Sequence, residues 1–346
     1  MDLEKADVVF YIKYNFHHSI LDEINDHLLK KKINSIIIDH RYEIYDIFNK
    51  TNRKFPVFII ADEWFSLFRK CSDNIITTGH SLVSKNVTFN KMNCEGDYIC
   101  VSSQWQKNEF ISRGVMPRKK FLMTGYPAAD RIFRNELRLS SEFSKLLSPE
   151  SSINRTSKIR ILFAPTYNRD LSMMDNLIKH KSIFEFLGRK YDLAFKLHPV
   201  LPKKYPEHAE FVEYLKSAKL AICPSDSHAD ISDAIVWADI VVGDCSGAMM
   251  LSMIKKPIIA YDNPKRFSSS YFDEKGPEWT LRNKFAYRIS EFEELPNVIN
   301  RILDYDEKKS TRKEVVNLIY GDFKDGNSSF RIAESIQEIL AAEKIF

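Results

Sequence analysis

Ala238-Asp239-Ile240-Val241-Val242-Gly243-Asp244-Cys245-Ser246-Gly247-Ala248-Met249-Met250 decides the fold. The apolar run Ile240 to Val242 predicts a buried strand that stops at Gly243-Asp244. A turn of small residues follows, and residues 248–254 read as a buried helix. In a parallel α/β sheet, such a strand–turn–helix junction points backbone N–H groups and a hydroxyl beyond the strand's carboxyl end, which is a place for phosphate.

Similar junctions recur on both sides of this one. In the first half, strands are expected at residues 8–12, 35–38, 55–61, 74–78, 98–102 and 121–124. Helical stripes over 20–29, 44–48 and 104–113 lie between them. Residues 140–158 are rich in Ser, Asn and charge and read as a connection. The alternation then restarts, with strands at 159–164, 193–197, 220–223, 240–242 and 257–261. Helices are expected over 175–189, 211–217, 295–303 and 330–340, and Asp230 reads as a helix N-cap. Two rounds of alternation predict two doubly wound parallel-sheet domains. The expected division is 1–140, a linker at 141–158, and 159–346, and it allows the last helix to pack back toward the first domain.

The totals narrow the function. The 346 residues suffice for two cores, and 28% charged with 44% hydrophobic residues is ordinary for a globular protein. Apolar runs are strand-sized, and the start Met1-Asp2-Leu3-Glu4-Lys5 lacks the form of a signal peptide. Five cysteines without a CxxC pair fit reduced thiols. These features predict a cytoplasmic protein. The formal charge of +4 comes with basic clusters at 30–32, 118–120, 203–204 and 255–256. Together these suit an anionic membrane surface or a polyanionic substrate. No aromatic-rich basic groove accompanies them, which argues against nucleic acid. With no GxGxxG and no GxxxxGK, a dinucleotide fingerprint and a P-loop are set aside.

Several strand tips carry groups fit for chemistry. His80 follows the strand at 74–78 and can take a proton from a hydroxyl near neutral pH. His198, in Phe195-Lys196-Leu197-His198-Pro199, is placed to donate to a phosphate. Thr166 and Arg169 follow the strand at 159–164, and Arg169 can fork onto phosphate. Asp325 to Arg331 opens the last helix, with Ser328 or Ser329 as cap and N–H groups for an anion. Asp226, His228 and Asp230 resemble a metal cluster by type, and Asp304-Tyr305-Asp306 matches a DxD pattern. Their contexts read as a cap and a solvated helix end, so no metal is expected.

These junctions, in this order, resemble the CDP-glycerol glycerophosphotransferase family of teichoic acid and capsule polymer synthesis. Ile161 to Thr166 is similar to the family's ILYAPT run, and residues 195–199 to its LHP strand end. Asp230-Ile231 with residues 238–246 is similar to its DI…SDILITDYSS block. Gly125-Tyr126-Pro127 with Asp130 resembles its G-x-P-x-x-D turn, and Asp325 to Arg331 its DGxASxR helix start. Against the family pattern, Cys245 stands for a tyrosine, Gly247 for a serine and Leu251 for an aspartate. His80-Ser81-Leu82-Val83-Ser84-Lys85 replaces His-Gly-Thr-Pro-Leu-Lys.

The resemblance implies a GT-B-like architecture, two Rossmann-like domains facing a cleft. The acceptor is expected on the first domain, with Lys85 and Asp130 on its side. The nucleotide is expected on the second, held by Thr166, Arg169, Lys196, Asp244, Ser246 and Gly247, with Ser328, Ser329 and Arg331. His80 is the expected base, and His198 the residue that steadies the donor's phosphates. The implied reaction moves glycerol phosphate from CDP-glycerol to a saccharide or lipid-linked acceptor and releases CMP. No tightly bound cofactor is implied. A glycosyltransferase or epimerase acting on a nucleotide sugar, a ribitol phosphotransferase using CDP-ribitol, and a non-catalytic nucleotide or polymer binder are the alternatives.

Overall fold

The structure, a computed structural model, describes residues 5–39, 46, 49, 52, 54–62, 65–80, 82, 86–137, 158–198, 205–223 and 231–343. The linker expected at 141–158 apart from residue 158, the helix expected at 44–48 apart from residue 46, Lys85, and the Asp226–Asp230 group lie outside them. The chain divides into two compact units. The first comprises residues 1–82, 87–134 and 317–346, and the second residues 83–86 and 135–316. The second domain was expected to run to 346, so its boundary moves to 316.

The first unit is built on six parallel strands: β1 (Val8–Tyr11), β2 (Ser35–Ile38), β3 (Val57–Ile60), β4 (Ile75–Thr77), β5 (Tyr98–Val101) and β6 (Lys120–Met123). Their order is β2-β1-β3-β4-β5-β6. Strands β1 and β3 are buried along their whole length, as expected for a sheet covered on both faces. Helix α1 (His18–Lys30) buries Ile20, Leu21, Ile24 and Leu28, the stripe read from the sequence. Helix α2 (Gln104–Ser112) starts at Ser103, whose hydroxyl accepts the Gln106 N–H.

The second sheet holds β7 (Arg160–Ala164), β8 (Asp192–Phe195), β9 (Ala221–Ile222), β10 (Ile240–Gly243), β11 (Ile258–Tyr261) and β12 (Ala286–Ile289). It too is parallel, in the order β12-β11-β10-β7-β8-β9, with Val241 opposite Leu162 on one side and Ile258 on the other. One core lies between this sheet and helices α3 (Lys181–Lys190) and α4 (Pro206–Ser217). Phe163 stacks on Phe195 at 4.9 Å, and Phe184 meets both rings edge-on. Each fully buried phenylalanine contributes roughly 1.5–3 kcal/mol. The single helix expected at 175–189 is broken at His180, whose backbone leaves the helical region at φ −108°, ψ 40°. Its Nδ1 lies 3.1 Å from Glu293 Oε1.

Helix α5 (Gly247–Ser252) follows β10, α6 (Leu295–Asp304) follows β12, and α7 (Lys309–Tyr320) contains the division between units. Helix α8 (Ser328–Glu343) belongs to the first unit and packs along α1. Among the described residues no helix is long and apolar enough to cross a membrane.

Candidate functional site

Parallel pairing of β1, β3 and β4 brings the ends of three adjacent strands together. Lys13 follows β1, Asp62 follows β3, and His80 follows β4 after Gly79, whose φ of +65° suits glycine. Lys13 Nζ donates to Asp62 Oδ2 at 2.7 Å, with Asp62 almost fully buried. His80 Nδ1 lies 3.1 Å from the Ala61 carbonyl and 3.9 Å from Asp62 Oδ1. A carbonyl only accepts, so Nδ1 carries the proton in this contact, and Nε2 holds the lone pair of the neutral ring. Downstream, Gln106 secures the chain by donating to the Leu82 carbonyl at 3.0 Å and accepting the Ser102 N–H at 2.6 Å. Thr78, His80, Ser102, Gln106 and Tyr126 line a recess beside it.

A second imidazole backs the first. His17 is fully buried and lies along the His80 ring at 5.7 Å. Neither of its ring nitrogens has a hydrogen-bond partner among the described residues. Burial, with help from His80, lowers its pKa from 6.5 to about 3, so the ring is neutral at physiological pH. His17, Asp62 and His80 each offer a ligand atom within 4.8 Å of the others. The Lys13 ammonium already supplies a cation to Asp62, and we read the group as a charge-balanced proton site rather than a metal centre.

In the second unit, the tips of β7, β8, β10 and β11 share one sheet edge. Asp244, fully buried, accepts the N–H groups of Thr166 and Met173, each at 3.0 Å, and so staples the loop after β7 to the end of β10. Ser246 caps α5 by accepting the Met249 N–H, and Gly247 is half-buried. Lys196 and His198 follow β8, both half-buried, and the His198 ring lies 5.0 Å from that of Tyr167. Tyr167 in turn meets Tyr271 at 5.9 Å.

Behind Asp244 is a buried ionic network. Arg282 donates to the Asp244 carbonyl at 2.9 Å, to Asp262 Oδ1 at 2.6 Å and to Glu278 Oε1 at 2.5 Å. Cys245, where the family pattern has tyrosine, gives its thiol to Glu278 Oε2 at 2.8 Å. Burial opposes the Arg282 charge, but Glu278, Cys245 and Asp262 outweigh it and hold its pKa above the usual arginine range.

Several expectations are corrected. The N–H groups of Ser328 and Ser329 do not await a ligand anion. They donate to the two oxygens of Asp130, at 2.9 and 2.7 Å, inside the first unit. All three residues are at most 1% exposed, so Asp130 is a helix cap rather than an acceptor contact. Burial pushes its carboxyl up, and the N–H groups of Ser329 and Ser328 pull it back. Arg331 is committed to Asp325, whose carboxyl it holds down at about 2. Arg169 faces Asp175 at 3.2 Å and Glu207 at 3.4 Å. Asp244, with no exposed surface, and Thr166, at 2%, are scaffold. Of the basic clusters, Lys31 pairs with Glu334, Lys119 donates to Asn74 at 2.6 Å, and Lys256 donates to the Val236 carbonyl at 3.1 Å. Reading the sequence missed Lys13, His17, Asp62, Glu278 and Arg282. For Asp62 the signal was present, an acidic residue just past an apolar run.

Residues 73–338 match the family described as CDP-glycerol:poly(glycerophosphate) glycerophosphotransferase. Lys13, His17 and Asp62 lie outside that match. A teichoic acid glycerol-phosphate transferase of Staphylococcus aureus (strain NCTC 8325 / PS 47) is 24% identical over 261 residues, 72% of this chain. The match spans 62% of that relative's length. Among solved structures, a variant of the wall teichoic acid polymerase TagF soaked with CDPG aligns at a TM-score of 0.71 with 14% identity. That alignment covers 97% of this chain and 89% of the other. UDP-GlcNAc 2-epimerase from Neisseria meningitidis, bound to UDP-GlcNAc, aligns at 0.61 with 14% identity, over 96% and 99% of the two chains. These likenesses make the fold GT-B-like. The match over most of the length decides the family, and the chain belongs to the CDP-glycerol:poly(glycerophosphate) glycerophosphotransferases.

Proposed function

We propose that this protein transfers glycerol phosphate from CDP-glycerol to a hydroxyl of a saccharide or lipid-linked acceptor. The observation that carries the reading, within the matched family, is the position of the His80 imidazole. The ring is anchored through Nδ1 at a strand tip and borders an open recess. The acceptor hydroxyl gives its proton to Nε2 as its oxygen attacks the phosphorus that bears glycerol. The phosphorus–oxygen bond to CMP breaks, and CMP leaves with the electron pair. Asp62, 3.9 Å away and paired with Lys13, lies close enough to favour the imidazolium that forms.

In the second unit, Lys196, His198, Ser246 and Gly247 are the groups for the donor's phosphates. They sit at the carboxyl ends of parallel strands, where α/β sheets take ligands. The same reading places the protein in the cytoplasm, where nucleotide-activated donors are made, working on acceptors at the inner membrane face.

His80→Ala is expected to slow CMP release from CDP-glycerol by roughly 10²–10⁴-fold while leaving donor binding intact. Measuring CMP with acceptor present and CDP-glycerol binding by calorimetry tests both halves. Near-normal turnover in the variant removes His80 as the base. Selective binding of a UDP-sugar by the wild type removes CDP-glycerol as the donor.

A further inference from the structure

Lys196 is one cation for the donor's phosphates, and Arg169 faces two carboxylates, Asp175 and Glu207. Three guanidiniums surround the indole of Trp279: Arg266 at 4.4 Å, Arg288 at 4.6 Å and Arg282 at 5.3 Å from its centroid. Only two carboxylates serve them among the described residues. Asp262 gives one oxygen to Arg282 and the other to Arg288. Glu278 gives one oxygen to Arg282 and the other to the Cys245 thiol. Arg266 is left with the backbone carbonyl of Asn263 at 2.9 Å, and its Nε is buried with no partner among the described residues. Burial, and behind it the like charges of Arg288 and Arg282, hold this guanidinium below the usual arginine range, and Asp262 only partly offsets them. An incoming anion would relieve that repulsion.

The position of Arg266 fits a ligand at the strand tips. Its segment follows β11 and is tied to the loop after β7. Asn263 donates to the carbonyls of Ser172 at 2.8 Å and Arg169 at 3.3 Å, and Ser269 donates to Asn168 at 3.2 Å. Tyr271 of the same segment continues the ring series through Tyr167 to His198. Arg266 is also held flat, its guanidinium lying 4.4 Å from both the Phe267 and Trp279 rings. A stacked guanidinium presents its N–H edge to a ligand while its faces stay covered.

We propose that Arg266 is a second cation, besides Lys196, that meets the diphosphate of the bound nucleotide. This rests on the reading of the protein as a nucleotide-donor transferase. Calorimetry with CDP on the full chain tests it, comparing wild type, Arg266→Gln, Arg266→Lys and Arg169→Gln. Arg266→Gln is expected to weaken CDP binding roughly 10- to 100-fold, the range for one charged hydrogen-bonding group. Arg266→Lys should recover part of the loss and control for folding, and Arg169→Gln should bind within about twofold of wild type. CDP binding by Arg266→Gln within twofold of wild type overturns the proposal, as does an equal loss in Arg169→Gln. A wild type that takes UDP in place of CDP overturns the donor reading alone. Arg266 then stands or falls by the same comparison made with UDP. A wild type that binds neither overturns both.

Discussion

The two sheets bury polar groups at their tips in opposite ways. At the β4 tip a neutral imidazole, His17, sits beside His80 with no hydrogen bond of its own among the described residues, and one ion pair, Lys13 to Asp62, supplies the local charge. At the β10 tip a permanent cation, Arg282, is buried and answered by two carboxylates and two carbonyls. The first arrangement keeps a buried ring uncharged at neutral pH. The second fixes charge for good, which suits a frame around a phosphate. His17 and Arg282 are both buried. What differs is whether the buried group can discharge itself: imidazole can at neutral pH, and guanidinium cannot.

The sharpest way to break this contrast is Arg282→Leu. It removes the cation shared by Glu278 and Asp262, leaving Asp262 to Arg288, and is expected to cost about 3–5 kcal/mol, read by urea unfolding of the full chain. A loss under about 1 kcal/mol would mean the network is not a structural keystone. Asp62→Asn removes the carboxylate that faces Lys13 and His80, and Lys13 keeps some contact with solvent, so about 1–3 kcal/mol is expected in the same assay. A loss as large as that of Arg282→Leu would erase the distinction between the tips.

The smallest effect at neutral pH is expected for His17→Phe, which keeps a buried ring and removes two unsatisfied nitrogens. Its signature is in acid. His17 is depressed to about 3 when folded and titrates near 6.5 when unfolded. The unfolded chain therefore binds the extra proton between those values, and stability falls as pH drops through that window. The slope is at most about 1.4 kcal/mol per pH unit, and the contribution flattens below pH 3. Melting curves from pH 7 to 4 should show a shallower decline for His17→Phe than for wild type. Parallel declines would mean His17 is solvated or paired in the folded protein.

Much of this was legible in the sequence. Eleven of the strands follow from apolar runs closed by small or polar residues, and His80, His198 and Asp244 declare themselves by standing just past such runs. The missed strand, β12, is a short edge strand whose Tyr287 and Arg288 interrupt the apolar signal. Lys13 and His17 stand past β1, but only the sheet order β2-β1-β3-β4 makes that tip a neighbour of His80, and strand order is not written in a local pattern. Ser328 and Ser329 were legible as a helix start. Their anion turned out to be Asp130, almost two hundred residues earlier in the chain, and sequence spacing does not reveal which anion fills a helix end. Glu278 and Arg282 are four apart and readable as a helical pair, while their tie to the Asp244 carbonyl depends on the tertiary fold.

The return of residues 317–346 to the first unit has a consequence for synthesis. Gly125, at φ +90°, lies so close to Ser328 and Phe323 that a Cβ there would meet both, so the turn after β6 and the start of α8 are built against each other. The second unit is nearly one unbroken stretch ending at residue 316, and it is complete while the ribosome still holds the tail. The first unit, although it emerges earlier, keeps the Asp130 cap and the α1 face uncovered until α8 arrives. The part of the chain that is made first is therefore the part that finishes folding last.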